Sequence, residues 1–287
     1  MRRHWLRAAT AMLALPAGLV TGGCSIRAGM AAPVGVAAVG GLSLCGVWPR
    51  MAEAAATALG HPVHTVAAAP KEGVVPAFAR GEAALLLLHA SDEVASLEAA
   101  GLAGPPRVWG WNEHVLVGPV HDPAGVRGAR DGTEALRRIA ATQAPFIALR
   151  DAGSYGIVQR LWRRGGVRPD ARWLRADTSR SPQAVLQQAA DQQAYAVVGH
   201  IPLHFGKMGA PGIERLLHGD PHMRRPYVAL TPGPRHAASH NARMAAERLA
   251  AYLLSDPGQV ALAQSNTAAG GPWVFARDSV APWLDGA

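Results

Sequence analysis

Aromatic residues are scarce in this chain of 287 residues: Phe, Trp and Tyr make up 6% of it, against a hydrophobic content of 49%. Its core must rest on Ala, Val and Leu, and that hydrophobic content excludes global disorder. Cysteine is nearly absent, with only Cys24 and Cys45, so no disulfide framework is available; a Cys24–Cys45 bridge stays open only if Cys24 is retained unmodified. Lysine is limited to Lys71 and Lys207. Acidic residues are missing altogether before Glu53, a stretch that holds Arg2, Arg3, Arg7, Arg27 and Arg50. Most of the net charge of +8 is therefore N-terminal. The remainder reads as spread along the chain without a basic stripe or arm, which removes the case for a nucleic-acid partner.

The N-terminus is organised for export. Arg2, Arg3 and Arg7 form a positive region, and the uncharged apolar stretch that follows runs from Ala8 to Val20. That length is too short for a bilayer and suits the apolar region of a signal peptide. It ends in Val20-Thr21-Gly22-Gly23-Cys24. Small residues directly before a cysteine resemble the lipobox of bacterial lipoproteins, in which the cysteine is lipidated, so residues 1–24 read as a signal peptide with Cys24 as the lipidation site. A plain signal cut near Ala31 or Ala32 is the alternative. No later segment reads as a membrane span.

Short apolar runs alternate with helical segments in the mature chain. The runs Val34–Val39, Val63–Val66, Ala84–His89, Val115–Pro119, Phe146–Leu149, Tyr195–Val198 and Tyr227–Leu230 read as strands. Helices are expected over Met51–Leu59, closing on Gly60, and over Asp92–Ala100, capped by Ser91. Others are expected over Thr133–Thr142, Tyr155–Arg164, from Pro182 to about Asp191, from about Asn241 to Leu254, and over Gly258–Ser265. Residues 28–48 read as a strand plus a loop. This alternation indicates an α/β protein with largely parallel sheets, in two lobes.

Several segments, in order, resemble the tungstate-binding subgroup of type II periplasmic solute-binding proteins. Gly81-Glu82-Ala83-Ala84-Leu85-Leu86-Leu87-Leu88-His89 resembles a family strand of pattern G-D-A-D-V-L-L-V-H. Asn112-Glu113-His114-Val115-Leu116-Val117-Gly118-Pro119 resembles N-D-F-V-I-V-G-P, and Ala144-Pro145-Phe146 through Ser154 resembles A-P-F-V-S-R-G-D-D-S-G-T. Tyr227-Val228-Ala229-Leu230-Thr231-Pro232 continues the register, and Leu253-Leu254-Ser255-Asp256-Pro257-Gly258-Gln259 resembles the L-x-S-P-E-G-Q helix start of such receptors. The resemblance covers residues 80–265 well and 34–80 weakly. It implies a two-lobed, periplasmic-binding-protein-like α/β fold of type II, with a ligand cleft between the lobes. The first lobe would comprise residues 34–116, the second 117–224, and residues 225–287 would return to the first. It further implies a monomeric, extracytoplasmic receptor that needs no cofactor. Such a receptor binds a small anion and delivers it to the permease and ATPase of an ABC transporter, touching the membrane only through a lipid anchor.

The candidate binding residues follow from loops at helix starts. Arg150-Asp151-Ala152-Gly153-Ser154 joins a strand to a helix, where free backbone N–H groups and the positive end of the helix dipole suit an anion. Ser154 can add a hydroxyl, and Arg150 a charged fork. In the first loop, Gly40-Gly41-Leu42-Ser43-Leu44-Cys45-Gly46-Val47-Trp48 stands where the family has a T-T-T-S run. Only the Ser43 hydroxyl remains, which points to a more apolar pocket. Ser181, before the Pro182 helix, and His200, where the family has T-D-R, complete the set. The alternatives are a relative that binds an organic anion or a metal ion, and an exported enzyme. Histidines recur four apart at His200/His204, His218/His222 and His236/His240, yet no H-E-x-x-H frame accompanies them. No nucleophile elbow, P-loop or dinucleotide fingerprint occurs, so the chain reads as a binding protein and not an enzyme.

Overall fold

The computed structural model describes residues 33–150 and 152–280; the expected signal peptide, residues 1–24, and the expected lipidation site Cys24 lie outside them. In chain order the elements are β1 (Val34–Val39), α1 (Gly40–Leu44), α2 (Val47–Leu59), β2 (Val63–Ala69), α3 (Lys71–Ala79), β3 (Leu85–His89), α4 (Asp92–Ala99) and β4 (Arg107–Pro119). Then follow α5 (Gly132–Thr142), β5 (Phe146–Ala148), α6 (Ala152–Gly165), β6 (Leu174–Ala176), α7 (Val185–Asp191), β7 (Ala196–Gly199) and α8 (His200–His204). The chain continues through β8 (Ile213–Leu217), β9 (Arg224–Leu230), α9 (His240–Leu254), α10 (Asp256–Ala268) and β10 (Val274–Ala276). Among the described residues no helix is long and apolar enough to cross a membrane.

β4 organises the molecule. Its first half, Arg107–Glu113, pairs with β9, and Gly110–Asn112 also pairs with β10. Its second half pairs with β7 from His114 and with β8 from Leu116. The main sheet therefore runs β10-β4-β9-β3-β1-β2, with β7 and β8 on the far half of β4. A separate parallel pair, β5–β6, touches β7 through a bridge between Phe146 and Tyr195. Alternation along each strand feeds two faces. In β3, Leu85 and Leu87 join a core with Trp48, Met51 and Leu249, while Leu86 and Leu88 join one with Phe78 and Leu97. In β4, Leu116 packs with Leu136 and Leu161 from α5 and α6, and its neighbours Val115 and Val117 pack with Val185 and Leu186 from α7. Both sheet regions are thus covered by helices on each face, giving two α/β/α sandwiches strung on one strand.

Four expectations need correction. The sheets are mixed and not largely parallel: β4 is antiparallel to β7, β8, β9 and β10, and β3 to β9. The parallel pairs are β1–β2, β1–β3 and β5–β6, each joined through helices. The strand expected from Val115 starts at Arg107, because the polar residues Asn112, Glu113 and His114 are buried in the ladder with the apolar run. Gly110 permits this: a Cβ there would come within 2.8 Å of Val274 Cγ1. Residues 40–44, read as loop, form α1, and α3 was concealed by Gly73 and Pro76 inside it. The charge is also uneven. Residues 117–224 hold fifteen Arg and Lys against nine acidic residues, whereas residues 34–116 hold four against seven.

Candidate functional site

The connections from strands to helices are very short. β1 passes directly into α1, β7 directly into α8, and only Pro70 separates β2 from α3. Carboxyl ends of strands and amino ends of helices are thereby brought together, the usual place for a ligand in open α/β sheets. A cavity of about 280 Å³ lies there. Gly41, Pro70, Lys71, Glu72, Ser91 and Ser154 line it from the first turns or caps of α1, α3, α4 and α6. The turn ahead of α7 adds Pro182 and Gln183. Leu88, His89, Asn112, His114, Val198, Arg225 and Tyr227 line it from the strands. In α3 the amides of Gly73 and Val74 donate to the Pro70 carbonyl, so those of Lys71 and Glu72 are the unpaired donors of that terminus. Convergent helix amino ends contribute positive partial charge at the cavity.

Two cations stand in the wall. Lys71 Nζ lies 2.6 Å from Glu93 Oε1, and this contact holds the Glu93 carboxyl down to about 2 and raises Lys71. Arg225 donates through Nε and Nη2 to the Ala90 carbonyl at 3.2 and 2.8 Å. On the floor, the Asn112 amide Nδ2 donates to His89 Nε2 at 2.9 Å, and the His89 ring stacks on Tyr227 with centroids 4.4 Å apart. Because the amide nitrogen must be the donor, the His89 ring is neutral with its proton on Nδ1. Burial, reinforced by the charge of Arg225 and by His114, pushes the His89 pKa well below its ordinary value. Burial also raises the Tyr227 hydroxyl. Asn112 is only 5% exposed, and its Oδ1 is buried without a hydrogen-bond partner.

A neutral buried histidine has a consequence for stability. The unfolded chain protonates His89 near pH 6.5, and the folded chain does not. Between the depressed folded value and 6.5 the unfolded state binds more protons, so stability is full above pH 6.5 and falls as the pH drops below it. His236, lowered by burial and by Arg243 against its bond to the Phe78 carbonyl, acts in the same direction. The lowered carboxyls Glu93 and Glu113 enter only below about pH 4.5. The melting temperature should therefore decline from pH 7 to pH 5.5, and less steeply in His89→Gln. Thermal melts across that range check this, and an unchanged slope in the variant would exclude His89 as a source.

The residues expected at the site separate. Ser154 lines the cavity and is 2% exposed. Arg150 does not: its side chain is 71% exposed, and it donates to the Ser179 carbonyl at 2.9 Å with Nε 3.8 Å from Asp177. Ser43 is half-buried in α1, outside the lining. Ser181 is exposed, and its carbonyl accepts from Ser179 Oγ, although the next two residues reach the cavity. His200 is buried in a different network. Its Nδ1 lies 2.8 Å from Glu113 Oε2 and its Nε2 2.8 Å from an Arg215 nitrogen. Arginine can only donate, so Nε2 accepts and Nδ1–H donates to the carboxylate. Against desolvation, which would raise it, the bonds from His200 and the Gly219 amide bring the Glu113 carboxyl below its usual range. This set pins α8 and β8 to β4 where its pairing changes. His200 and His204 pack edge to face beside Trp273, and among the described residues no cluster of three or more ligating side chains could hold a metal ion. Cys45 is buried and free, and Trp48 fills the core with Nε1 donating to Thr65 Oγ1 at 2.9 Å.

The residues missed are Lys71, Arg225, His89, Asn112 and Tyr227. Three of these stand at ends of the quoted segments: His89 closes the first, Asn112 opens the second and Tyr227 opens another. Segment ends that fall where a strand meets the cleft were the available signal.

The α/β fold, with its mixed sheets covered by helices, matches periplasmic-binding-protein-like structures. At 20% identity, the tungstate ABC transporter structure from Geobacter sulfurreducens superposes with a TM-score of 0.63, covering 81% of this chain and 98% of that one. In sequence, an ABC transporter anion-binding protein of Haloferax volcanii is 27% identical over 205 residues, and the tungstate-binding protein TupA of Peptoclostridium acidaminophilum is 25% identical over 182. These alignments cover 68% and 62% of this chain, and 57% and 63% of the relatives' own lengths. No family model matches the chain.

Proposed function

We propose that the protein is the extracytoplasmic substrate-binding component of an ABC-type uptake system and that it binds a small oxyanion in the cleft described above. The observation that carries this reading is the convergence of the amino ends of α3, α4 and α6 with Arg225 and Lys71 on one cavity. Similarity to an anion-binding and a tungstate-binding protein supports it. In this reading the lobes are residues 34–116 with 225–287, and residues 117–224. β4 and β9 cross between them, and closure buries the ligand without transforming it. The leader would export the chain to the periplasm or cell envelope, with Cys24 as its lipid anchor, and the protein would act as a monomer. Its partners would be a membrane permease and its ATPase.

A thermal-shift panel of tungstate, molybdate, sulfate, phosphate, carboxylates and Zn²⁺ tests the reading. A ligand that binds only the native state stabilises it by about 2.7 kcal/mol at a hundredfold excess over Kd, which is a shift of several degrees. At least one anion should produce it. Silence from every anion, or a response to Zn²⁺ alone, would end the proposal.

A further inference from the structure

Tyr195 and Tyr227 are both almost completely buried, and the fold treats their hydroxyls differently. Tyr195, just ahead of β7, donates to Asp122 Oδ1 and accepts from the Ala124 amide, both at 2.9 Å. Tyr227, in β9, is 1% exposed, and among the described residues no hydrogen bond involves its hydroxyl. Buried polar groups are paired in the great majority of cases, so a hydroxyl left over calls for a reason. Its oxygen is not one of the unpartnered polar atoms that the protein encloses completely, as Asn112 Oδ1 is. Tyr227 lines the cavity, and the little surface left to that oxygen opens there. Its position agrees: a Cβ added to Gly41, which also lines the cavity, would stand 3.7 Å from the hydroxyl oxygen.

We infer that Tyr227 is a ligand-binding residue whose O–H donates to an oxygen of the bound anion. This rests on the receptor reading and names a contact within it. A phenol can donate as well as accept, and the oxygens of an anion accept, so the tyrosine supplies the proton. Burial raises its pKa against the opposing charge of Arg225, and the proton stays in place at neutral pH. The donor is also set before a ligand arrives. Its ring stacks with His89 and Trp109, with centroids 4.4 and 5.9 Å apart, and its backbone is paired with β3 and β4, so little freedom is lost on binding. It stands where side-chain donors are few. The first turn of α1 presents Gly41 to the cavity, and Ser43 lies outside the lining. The hydroxyl brought to that turn from β9 supplies from the sheet what the turn itself lacks. An unpaired hydroxyl adds nothing to the stability of the ligand-free protein, whereas a hydrogen bond to an anion is stronger than one between neutral groups. Removing it should therefore weaken binding and spare the fold.

The test pairs calorimetric titration with ligand-free thermal melts, in the wild type, Tyr227→Phe and Tyr195→Phe, with tungstate, molybdate, sulfate, hydrogen phosphate and lactate as probes. For whichever of these the wild type binds, Tyr227→Phe should bind at least tenfold more weakly. Its ligand-free melting temperature should be no lower than that of the wild type. Tyr195→Phe should show the reverse. It leaves the Asp122 carboxylate and the Ala124 amide short of a partner, so its melting temperature should fall by roughly 2–4 °C. Its affinity should stay within twofold, because Tyr195 is outside the lining. An affinity of Tyr227→Phe within threefold of wild type would overturn the inference. So would a weaker affinity accompanied by a lower ligand-free melting temperature, the result for a hydroxyl that holds the fold. The receptor reading fails separately, if the wild type binds none of the probes, and this contact fails with it.

Discussion

Replacing Arg225 by alanine should weaken anion binding by roughly fiftyfold, whereas Lys71→Ala costs only a few-fold and Arg150→Ala less than twofold. The ranking follows from what each cation already faces. The Lys71 ammonium is 2.6 Å from a carboxylate and 42% exposed, so most of its charge is spent on Glu93 and screened by water. Arg225 stands on the strand floor with two hydrogen bonds to the Ala90 carbonyl among its contacts, and its charge is felt inside the cavity, where it helps to depress His89. Unit charges about 4 Å apart interact by about 4 kcal/mol at an effective dielectric constant near 20. Solvent in an open cleft reduces that to about 2.5 kcal/mol, and about 1.4 kcal/mol corresponds to a factor of ten in Kd. Arg150 stands outside the lining and serves as the control. Titration of the three variants with tungstate and with lactate measures the order directly. A larger loss in Lys71→Ala than in Arg225→Ala would show that the ligand sits at the mouth of α3 and not on the strand floor.

The sequence made the strands that are apolar throughout easy to see. Val34–Val39 is observed with those limits, and β3 differs by one residue, because strands buried on both faces read as continuous apolar runs. β4 was legible only in its second half. Its first half carries Gly110, Asn112 and Glu113, which propensity assigns to turns, and it is a strand because β9 and β10 satisfy its backbone from either side. The short strands β6, β8 and β10 carry too few apolar residues for a periodic signal. Helix α3 exists despite Gly73 and Pro76 because Val74 and Phe78 are fully buried against β1 and β3.

The site was legible as a type and less so in its residues. Strand-to-helix connections meet at one cavity, and Ser154 lines it. Arg150 has the charge and the place before α6 that suit an anion, but local sequence does not reveal that Asp177, 27 residues later, sits ready to receive it. His200 was similarly diverted by Glu113, a buried carboxylate that needs a partner. The groups that line the floor come from β3, β4 and β9, whose juxtaposition depends on antiparallel pairing that the sequence pattern does not encode.

Gly258→Ala should be the most damaging glycine-to-alanine change among the described residues, with a loss of at least about 3 kcal/mol, the upper part of the range for overpacking. Gly258 opens α10 directly beneath the end of α9. An added Cβ would overlap the Tyr252 carbonyl oxygen and lie 2.8 Å from the carbonyl carbon and 3.2 Å from Leu253 Cα, all of them backbone atoms that no rotamer change can move. The surrounding residues fix the approach. Ser255 Oγ donates to the Tyr252 carbonyl at 2.7 Å and accepts from the Gly258 amide at 3.2 Å, which caps α10, and Pro257 stands in its first turn. Gln259 Nε2 then donates to Leu253 O and to Trp109 O at 2.7 and 3.0 Å, and its Oε1 accepts from the Arg277 amide, tying both helices to β4 and β10. The segment Ser255-Asp256-Pro257-Gly258-Gln259 is therefore a cap, a helix start, a close approach and a clamp in five residues. Relieving the overlap would require α10 to lift from α9 and break the clamp, in a fold whose total stability is of the order of 5–15 kcal/mol. Gly156→Ala is the matched control, since that helical position in α6 has nothing within 4 Å of an added Cβ, and it should gain about 0.5–1 kcal/mol. Urea denaturation of both variants decides the matter: a Gly258→Ala midpoint within error of wild type would mean that the two helices do not meet as closely as the structure places them.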